Sequence, residues 1–349
     1  MPVGSMADNG RRRSRSATSS TTRSSICGQM ITTSPSLNCG GCSTPTPHGF
    51  LIIGCEPRTR RLDLFISGKK RRDCSRPMSV SVGSKVRVGD IDIFHRWDGP
   101  EDGPVVMMAH AMGTSHRLWD WQVPALTDRF RVLRYDWRGH GDTDAPVGPY
   151  TLDQFVADAV GLMDALGLEK VHWVGISTGG MIGQGLAIEH PDRIASLSLC
   201  NTTSQANQAY KDFVTERHAI LREHGMTRIW DMTDRRWFTD AFAAAAGADY
   251  RTVREFFIRT PVEGYIGATS ATAKLAYRDR LHLITAPTLV LGAGDDPATP
   301  PAHSHEIHDR IAGSKLVLIP GQRHFSNVEV PDQFNPPLRA FLEAVSASD

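Results

Sequence analysis

Ser177 stands at the centre of Gly175-Ile176-Ser177-Thr178-Gly179, behind the apolar run Val171-His172-Trp173-Val174 and ahead of the helix-like Gly180-Met181-Ile182-Gly183-Gln184. A serine hydroxyl is a weak nucleophile until a neighbouring base takes its proton, so the spacing must both expose the hydroxyl and bring a base to it. G-x-S-x-G meets the first need. A strand that turns abruptly into a helix holds its serine in a strained backbone conformation, and the residues two before and two after must be small for the chain to make that turn. The same turn leaves the Thr178 amide at a helix N-terminus, where it can face a developing oxyanion.

The partners of such a serine lie downstream in the order acid, then histidine. His324 follows the apolar run Leu316 to Ile319 through Pro320-Gly321-Gln322-Arg323, on a loop ahead of a last helical pattern. It is the expected base. Leu289-Val290-Leu291-Gly292 runs into Asp295-Asp296-Pro297-Ala298-Thr299-Pro300, and an acid at that strand end can fix the imidazole tautomer and stabilise the imidazolium. Asp296 is favoured because the Asp-x-x-Thr-Pro phrase begins there; Asp295 is the alternative acid, otherwise a loop-capping or solvated carboxylate. His303, His305 and His308 fall on an expected surface helix and read as solvated. No matching Cys or carboxylate cluster accompanies them, so no metal is expected.

Upstream, His110-Ala111-Met112-Gly113-Thr114 follows the strand ending at Ala109 and resembles the H-G-x turn that supplies a second oxyanion donor. The expected donors are therefore the Met112 and Thr178 amides. Ala111 occupies the usual glycine position, so the turn must avoid positive φ there.

Elements able to hold these residues are legible in the apolar pattern. Val80 to Val88 and Ile91 to Trp97 alternate as a β-hairpin turning at Gly89-Asp90. Val105 to Ala109, Arg131 to Tyr135, Val171 to Ile176, Ile194 to Leu199, Thr288 to Leu291 and Leu316 to Ile319 are short apolar runs of the kind buried on both faces of a parallel sheet. Helical patterns separate most of them, as in Leu152 to Leu166 with Gly167 as its C-terminal stop, and Phe334 to Val345 supplies a last amphipathic helix. The pattern predicts an α/β fold with an open, mostly parallel sheet covered on both faces. Residues 203–283 break the alternation with helix-like pieces rich in large aromatics, and are expected to form a helical cap over the C-terminal edge of the sheet.

The 349-residue chain divides by charge. Up to Pro77 it carries 13 Lys plus Arg against 4 Asp plus Glu, a net of +9, so the total of +1 leaves −8 for the remainder. Residues 1–77 hold Arg11-Arg12-Arg13, a Ser/Thr-rich run and Lys69-Lys70-Arg71-Arg72, and are expected to form a disordered basic leader. Met78-Ser79-Val80 makes a natural start, so the leader reads as upstream translation or, being Arg-rich and acid-poor, as a transit segment. Five of the six cysteines lie in it, and Cys39-Gly40-Gly41-Cys42 lacks the second pair that a zinc site needs. No apolar run approaches the ~18 residues of a membrane span. The expectation is a cytoplasmic protein, or an organellar one if the leader directs it, with neither a membrane nor a nucleic acid as partner, since the folded part is acidic.

From Met78 onward the chain resembles the α/β-hydrolases, and more narrowly the 3-oxoadipate enol-lactonases of aromatic catabolism. The resemblance is carried by His110 to Thr114, Arg134-Tyr135-Asp136-Trp137-Arg138-Gly139-His140-Gly141, Gly175 to Gly183, Cys200-Asn201-Thr202, Arg236-Trp237-Phe238-Thr239, Arg259-Thr260-Pro261-Val262-Glu263-Gly264-Tyr265, Asp296 to Pro301 and His324 to Glu329. It implies an α/β-hydrolase core over residues 78–202 and 284–349, and hydrolysis of the enol-lactone ester to 3-oxoadipate in the β-ketoadipate pathway through an acyl-enzyme, without metal or organic cofactor. A carboxylate-bearing ester or lactone would want a cation in an apolar pocket; Arg236 and Arg259 are the expected cations, with Trp119 and Trp237 as walls. The same fold serves broad carboxylesterases and lactonases, and a ligand receptor can retain the triad, so both stand as alternatives.

Overall fold

Among the described residues, 83–347 of this computed structural model, eight strands form one sheet in the order β1-β2-β4-β3-β5-β6-β7-β8. The expectations for residues 1–77 and for Val80 to Val82 lie outside the described residues. β1 (Ser84–Val88) and β2 (Ile91–Asp98) form the hairpin, with Val88 opposite Ile91 and Gly89 in the left-handed region at φ 54°. β3 (Val105–Ala109) and β4 (Arg131–Tyr135) begin the parallel part, which continues through β5 (Val171–Ile176), β6 (Ile194–Cys200), β7 (Thr288–Ala293) and β8 (Lys315–Ile319). β2 joins it antiparallel to β4.

The helices follow the chain as α1 (Val123–Leu126), α2 (Leu152–Ala165), α3 (Thr178–Glu189), α4 (Gln208–Asp231), α5 (Asp234–Trp237), α6 (Asp240–Ala245), α7 (Ala248–Arg259), α8 (Val262–Thr272), α9 (Pro301–Arg310), α10 (Ser326–Glu329) and α11 (Pro331–Ser346). Period-two alternation sorts the strand residues onto two cores. Met107, Ala109 and Trp173 pack with Phe155 and Leu162 of α2 and Ile182 and Leu186 of α3, while Val106, Met108, Val174 and Ile176 pack with Leu126 of α1 and Phe334, Leu338, Phe341 and Leu342 of α11. Each large apolar side chain so buried contributes ~1.5–3 kcal/mol. β5 and β7 are buried at every residue, which is why their sequences are apolar but for His172 and Thr288.

Helix starts and stops follow local chemistry. The Thr151 hydroxyl accepts from the Gln154 amide at 3.1 Å while the Gln154 side chain accepts from the Thr151 amide at 2.9 Å, a reciprocal cap that begins α2. Gly167, at φ 67°, ends the turn that follows it. α11 begins three residues before the expected Phe334, because Pro331 suits the first helical turn.

Five helices, α4 to α8, stand between β6 and β7, and no strand interrupts them. This insertion leaves and returns at one point: Gln205 bridges Ala276, the Ala206 amide donates to Leu275 O and the Tyr277 amide donates to Ser204 O, both at 2.9 Å. Its long helix α4 breaks at Gly225, where φ is 68° and ψ −172°. Among the described residues no helix is long and apolar enough to cross a membrane.

Candidate active site

β5 delivers Ser177 into the turn before α3 with φ 54° and ψ −114°, a positive φ that a non-glycine residue adopts only under strain, typically ~1–3 kcal/mol. The surroundings hold it there. The Ser177 amide donates to Cys200 O at 2.9 Å, the Thr202 hydroxyl donates to Ser177 O at 2.7 Å, and the indole N–H of Trp173 donates to Gly179 O at 3.1 Å. A Cβ on Gly175 would overlap the Gly179 carbonyl, and one on Gly179 would overlap the Ala109 carbonyl. Both glycines of the pentapeptide are therefore fixed by close backbone approach.

β7 and β8 end side by side and place the acid and the imidazole together. Asp296 Oδ2 accepts from His324 Nδ1 at 2.7 Å and from the Thr299 hydroxyl at 2.7 Å, while Oδ1 accepts from the Ala298 and Thr299 amides at 2.7 and 3.1 Å. An ionised carboxylate only accepts, so this contact puts the imidazole proton on Nδ1 and leaves Nε2 as the basic nitrogen. Asp295, the alternative acid, is exposed and its amide donates to Gln322 O at 2.9 Å, which ties the two loops together. The Asn201 side chain donates to His324 O at 2.6 Å and to the Ser326 hydroxyl at 3.1 Å, anchoring the histidine loop from the end of β6.

Ser177 and His324 border one cavity, but among the described residues no hydrogen bond joins the serine hydroxyl to the imidazole. Such contacts are commonly long in ligand-free enzymes and tighten around substrate.

Met112 and Thr178 line the same cavity, and neither amide has an acceptor among the described residues. The turn carrying Met112 is closed by the Thr114 amide donating to Ala111 O at 3.2 Å, and by the Gly113 amide donating to His140 Nε2 at 2.9 Å. Ala111 keeps an ordinary φ, and the positive φ falls on Gly113 at 72°. His140 is wholly buried. Burial, and then the neighbouring His110, push it well below the usual histidine range, so it remains neutral and able to accept. His110 is likewise lowered to about 4 by burial, partly offset by the Asp136 carboxylate. His110 stacks on Trp137 with ring centroids 4.9 Å apart, and His140 lies tilted against the same indole at 3.6 Å.

The cavity measures about 340 Å³, within the range of small-molecule sites, and the insertion supplies much of its lining. Arg236 and Trp237, named from the sequence as a cation and a wall, stand among its lining residues. Trp119 does not: it is fully buried in the core beneath α11 and is no wall of the cavity. Nor does Arg259, whose exposed guanidinium pairs with Glu255 at 2.7 Å one helical turn away. His303, read from sequence as solvated, is half-buried and lines the cavity from α9. Arg217 was missed; it projects from α4 into the same space at 3% exposure. Its signal is its place on the buried stripe Val214, Arg217, Leu221, where spacing calls for an apolar residue. Among the described residues no group of three or more His, Cys, Asp or Glu is arranged to hold a metal ion.

A family model described as the alpha/beta hydrolase fold matches residues 104–331. Over 254 residues, 73% of this chain and 94% of the relative, the sequence is 32% identical to 3-oxoadipate enol-lactonase 2 of Acinetobacter baylyi. A protein named putative carbamate hydrolase RutD, from Caulobacter sp., is 30% identical over 74% of this chain and 99% of its own length. Among solved structures, the enol-lactonase from Burkholderia xenovorans LB400 superposes with a TM-score of 0.72 at 34% identity, covering 74% of this chain and all of that one.

Proposed function

The chain belongs to the alpha/beta hydrolase fold family, and on that premise we propose that it is a serine hydrolase opening the ester bond of a carboxylate-bearing lactone, with 3-oxoadipate enol-lactone as its substrate. The observation that carries this reading is the shared cavity: Ser177, the Asp296-bound His324 and the guanidinium of Arg236 all border it. The names of the enol-lactonase relatives support the choice of lactone.

In this mechanism His324 Nε2 takes the Ser177 proton as Oγ bonds to the lactone carbonyl carbon. Negative charge passes to the carbonyl oxygen and is met by the Met112 and Thr178 amides. Collapse breaks the ring C–O bond. The oxygen leaves as an enolate, which takes the proton held on His324 Nε2 and ketonises, so the imidazole is basic again. Water, deprotonated by His324, then attacks the acyl-enzyme, restoring Ser177 and releasing a second carboxylate.

A hydrolysis panel tests the proposal with 3-oxoadipate enol-lactone, p-nitrophenyl acetate and a simple carbamate, each offered to wild type and Ser177→Ala. The expected result is a kcat/KM for the enol-lactone well above the others, lost in Ser177→Ala. Fast turnover of the neutral ester alone would make the protein a general carboxylesterase, and ligand binding without turnover would make it a receptor.

A further inference from the structure

Arg217 brings a charge to the cavity without an anionic partner among the described residues. It is 3% exposed, and among the described residues no carboxylate stands within 4.0 Å of it or of Arg236. Its five N–H donors find only neutral hydroxyls: Nη2 donates to Thr233 at 2.5 Å, Nη1 donates to Tyr265 at 3.4 Å, and Nε has no partner. The Thr233 hydroxyl spends its own proton on Ile229 O at 2.7 Å, which leaves its oxygen free to accept.

Arg236 approaches from α5. Its Nη2 donates to Pro297 O at 3.2 Å, and burial, then repulsion from Arg217, lower its pKa, with the more distant Asp296 carboxylate offsetting only part of this. Both cations flank one aromatic ring, with the Arg217 guanidinium carbon 4.0 Å and the Arg236 carbon 5.2 Å from the Phe213 centroid. The ring face offers each some attraction but cannot neutralise two like charges in a desolvated space. A bound anion can.

We propose that Arg217 and Arg236, set around Phe213, form a carboxylate anchor that makes Arg217 a specificity-determining residue. The inference deepens the proposed function and rests on that reading for the identity of the acyl group, but not for the existence of the anion site. The anchor selects acyl substrates carrying a carboxylate beyond the scissile ester. It also holds dicarboxylic acids, the class to which the hydrolysis product belongs, so such acids compete with substrate.

The test uses the full chain and adipate as probe, with adipamide as its neutral counterpart. Adipate is expected to inhibit wild-type hydrolysis of p-nitrophenyl acetate competitively, at least about 10-fold more tightly than adipamide, as charge-assisted hydrogen bonds imply. Equal inhibition by the two would overturn the proposal without any variant. In Arg217→Met the ratio of kcat/KM for a mono-p-nitrophenyl adipate ester to that for p-nitrophenyl acetate should fall about 10-fold or more, with partial recovery in Arg217→Lys, whereas Arg259→Ala should leave it unchanged. An unchanged ratio in folded Arg217→Met would refute the anchor. Calorimetric titration of Ser177→Ala with adipate reads the same site without turnover, so retained binding there separates failure of the hydrolase reading from failure of this one.

Discussion

The Thr299 hydroxyl donates to Asp296 Oδ2 at 2.7 Å and thereby holds the carboxylate that receives His324 Nδ1 at the same distance. The acid is thus clamped by two backbone amides and a hydroxyl as well as by the imidazole, while Asp295 faces solvent. Asp296→Asn should lower kcat by about 10⁴, because an amide no longer enforces the Nδ1–H tautomer. Asp295→Asn should stay within about threefold of wild type. Steady-state kinetics on one ester decides between the two positions.

Ser177→Ala should reduce turnover on the order of 10⁴-fold or more without loss of fold. Intact-protein mass spectrometry after a phosphonate ester probe should show one adduct on wild type and none on the variant. An adduct of equal yield on Ser177→Ala would exclude this serine as nucleophile.

Gly179→Ala should destabilise the protein by ~1–3 kcal/mol, since the new methyl group meets the Ala109 carbonyl and the strand has no flexible atom to move aside. Gly167→Ala is a useful contrast. Unlike Gly179 it has positive φ, but no atom lies within 4 Å of its added Cβ, so only backbone strain is felt. Thermal melts of the pair separate overlap from strain.

Stability should fall with acidification over a defined window. His110, at about 4, and His140, also held well below the usual histidine range by burial, are neutral in the fold but titrate near 6.5 when unfolded. The unfolded chain therefore binds more protons between those values, and the contribution is complete above pH 6.5 and lost as pH falls towards 4. Each histidine should add a slope of ~1.4 kcal/mol per pH unit in that interval. Urea titrations from pH 7 to 4.5 measure it, and a flat profile would contradict the buried neutral pair.

Arg259→Ala should change stability by less than ~0.5 kcal/mol and leave KM for a carboxylate-bearing substrate unaltered, because its guanidinium is engaged with Glu255 at an exposed helix surface. A raised KM would place Arg259 at the substrate after all.

The sheet was legible because its inner parallel strands are buried on both faces and its edge strand β8 is half-buried, so β3 to β8 read as short apolar runs in almost their final bounds. Ser177, His324 and the two-aspartate loop were legible because the backbone geometry they need is written in glycine and proline spacing. The cavity's charge was legible at Arg236 but not at Arg217. Arg217 and Arg259 both sit on charged helices of the insertion, and only the direction of the helix face, set by packing between α4, α7 and α8, distinguishes a cation facing inward from one facing water. Trp119 misled for the converse reason: a large aromatic beside the site can belong wholly to the core.

The paired stem at Gln205 and Ala276 brings the insertion's two ends together at a single point beside β6 and β7. On the proposed reading, bond breaking is encoded in two stretches that flank the insertion and substrate preference in the insertion itself, joined at a seam that recombination can cross. Exchanging residues 206–275 for the matching stretch of a relative is a graft at that seam, with strand register left intact. New specificities can arise by swapping a cassette, without rebuilding the machine beneath it.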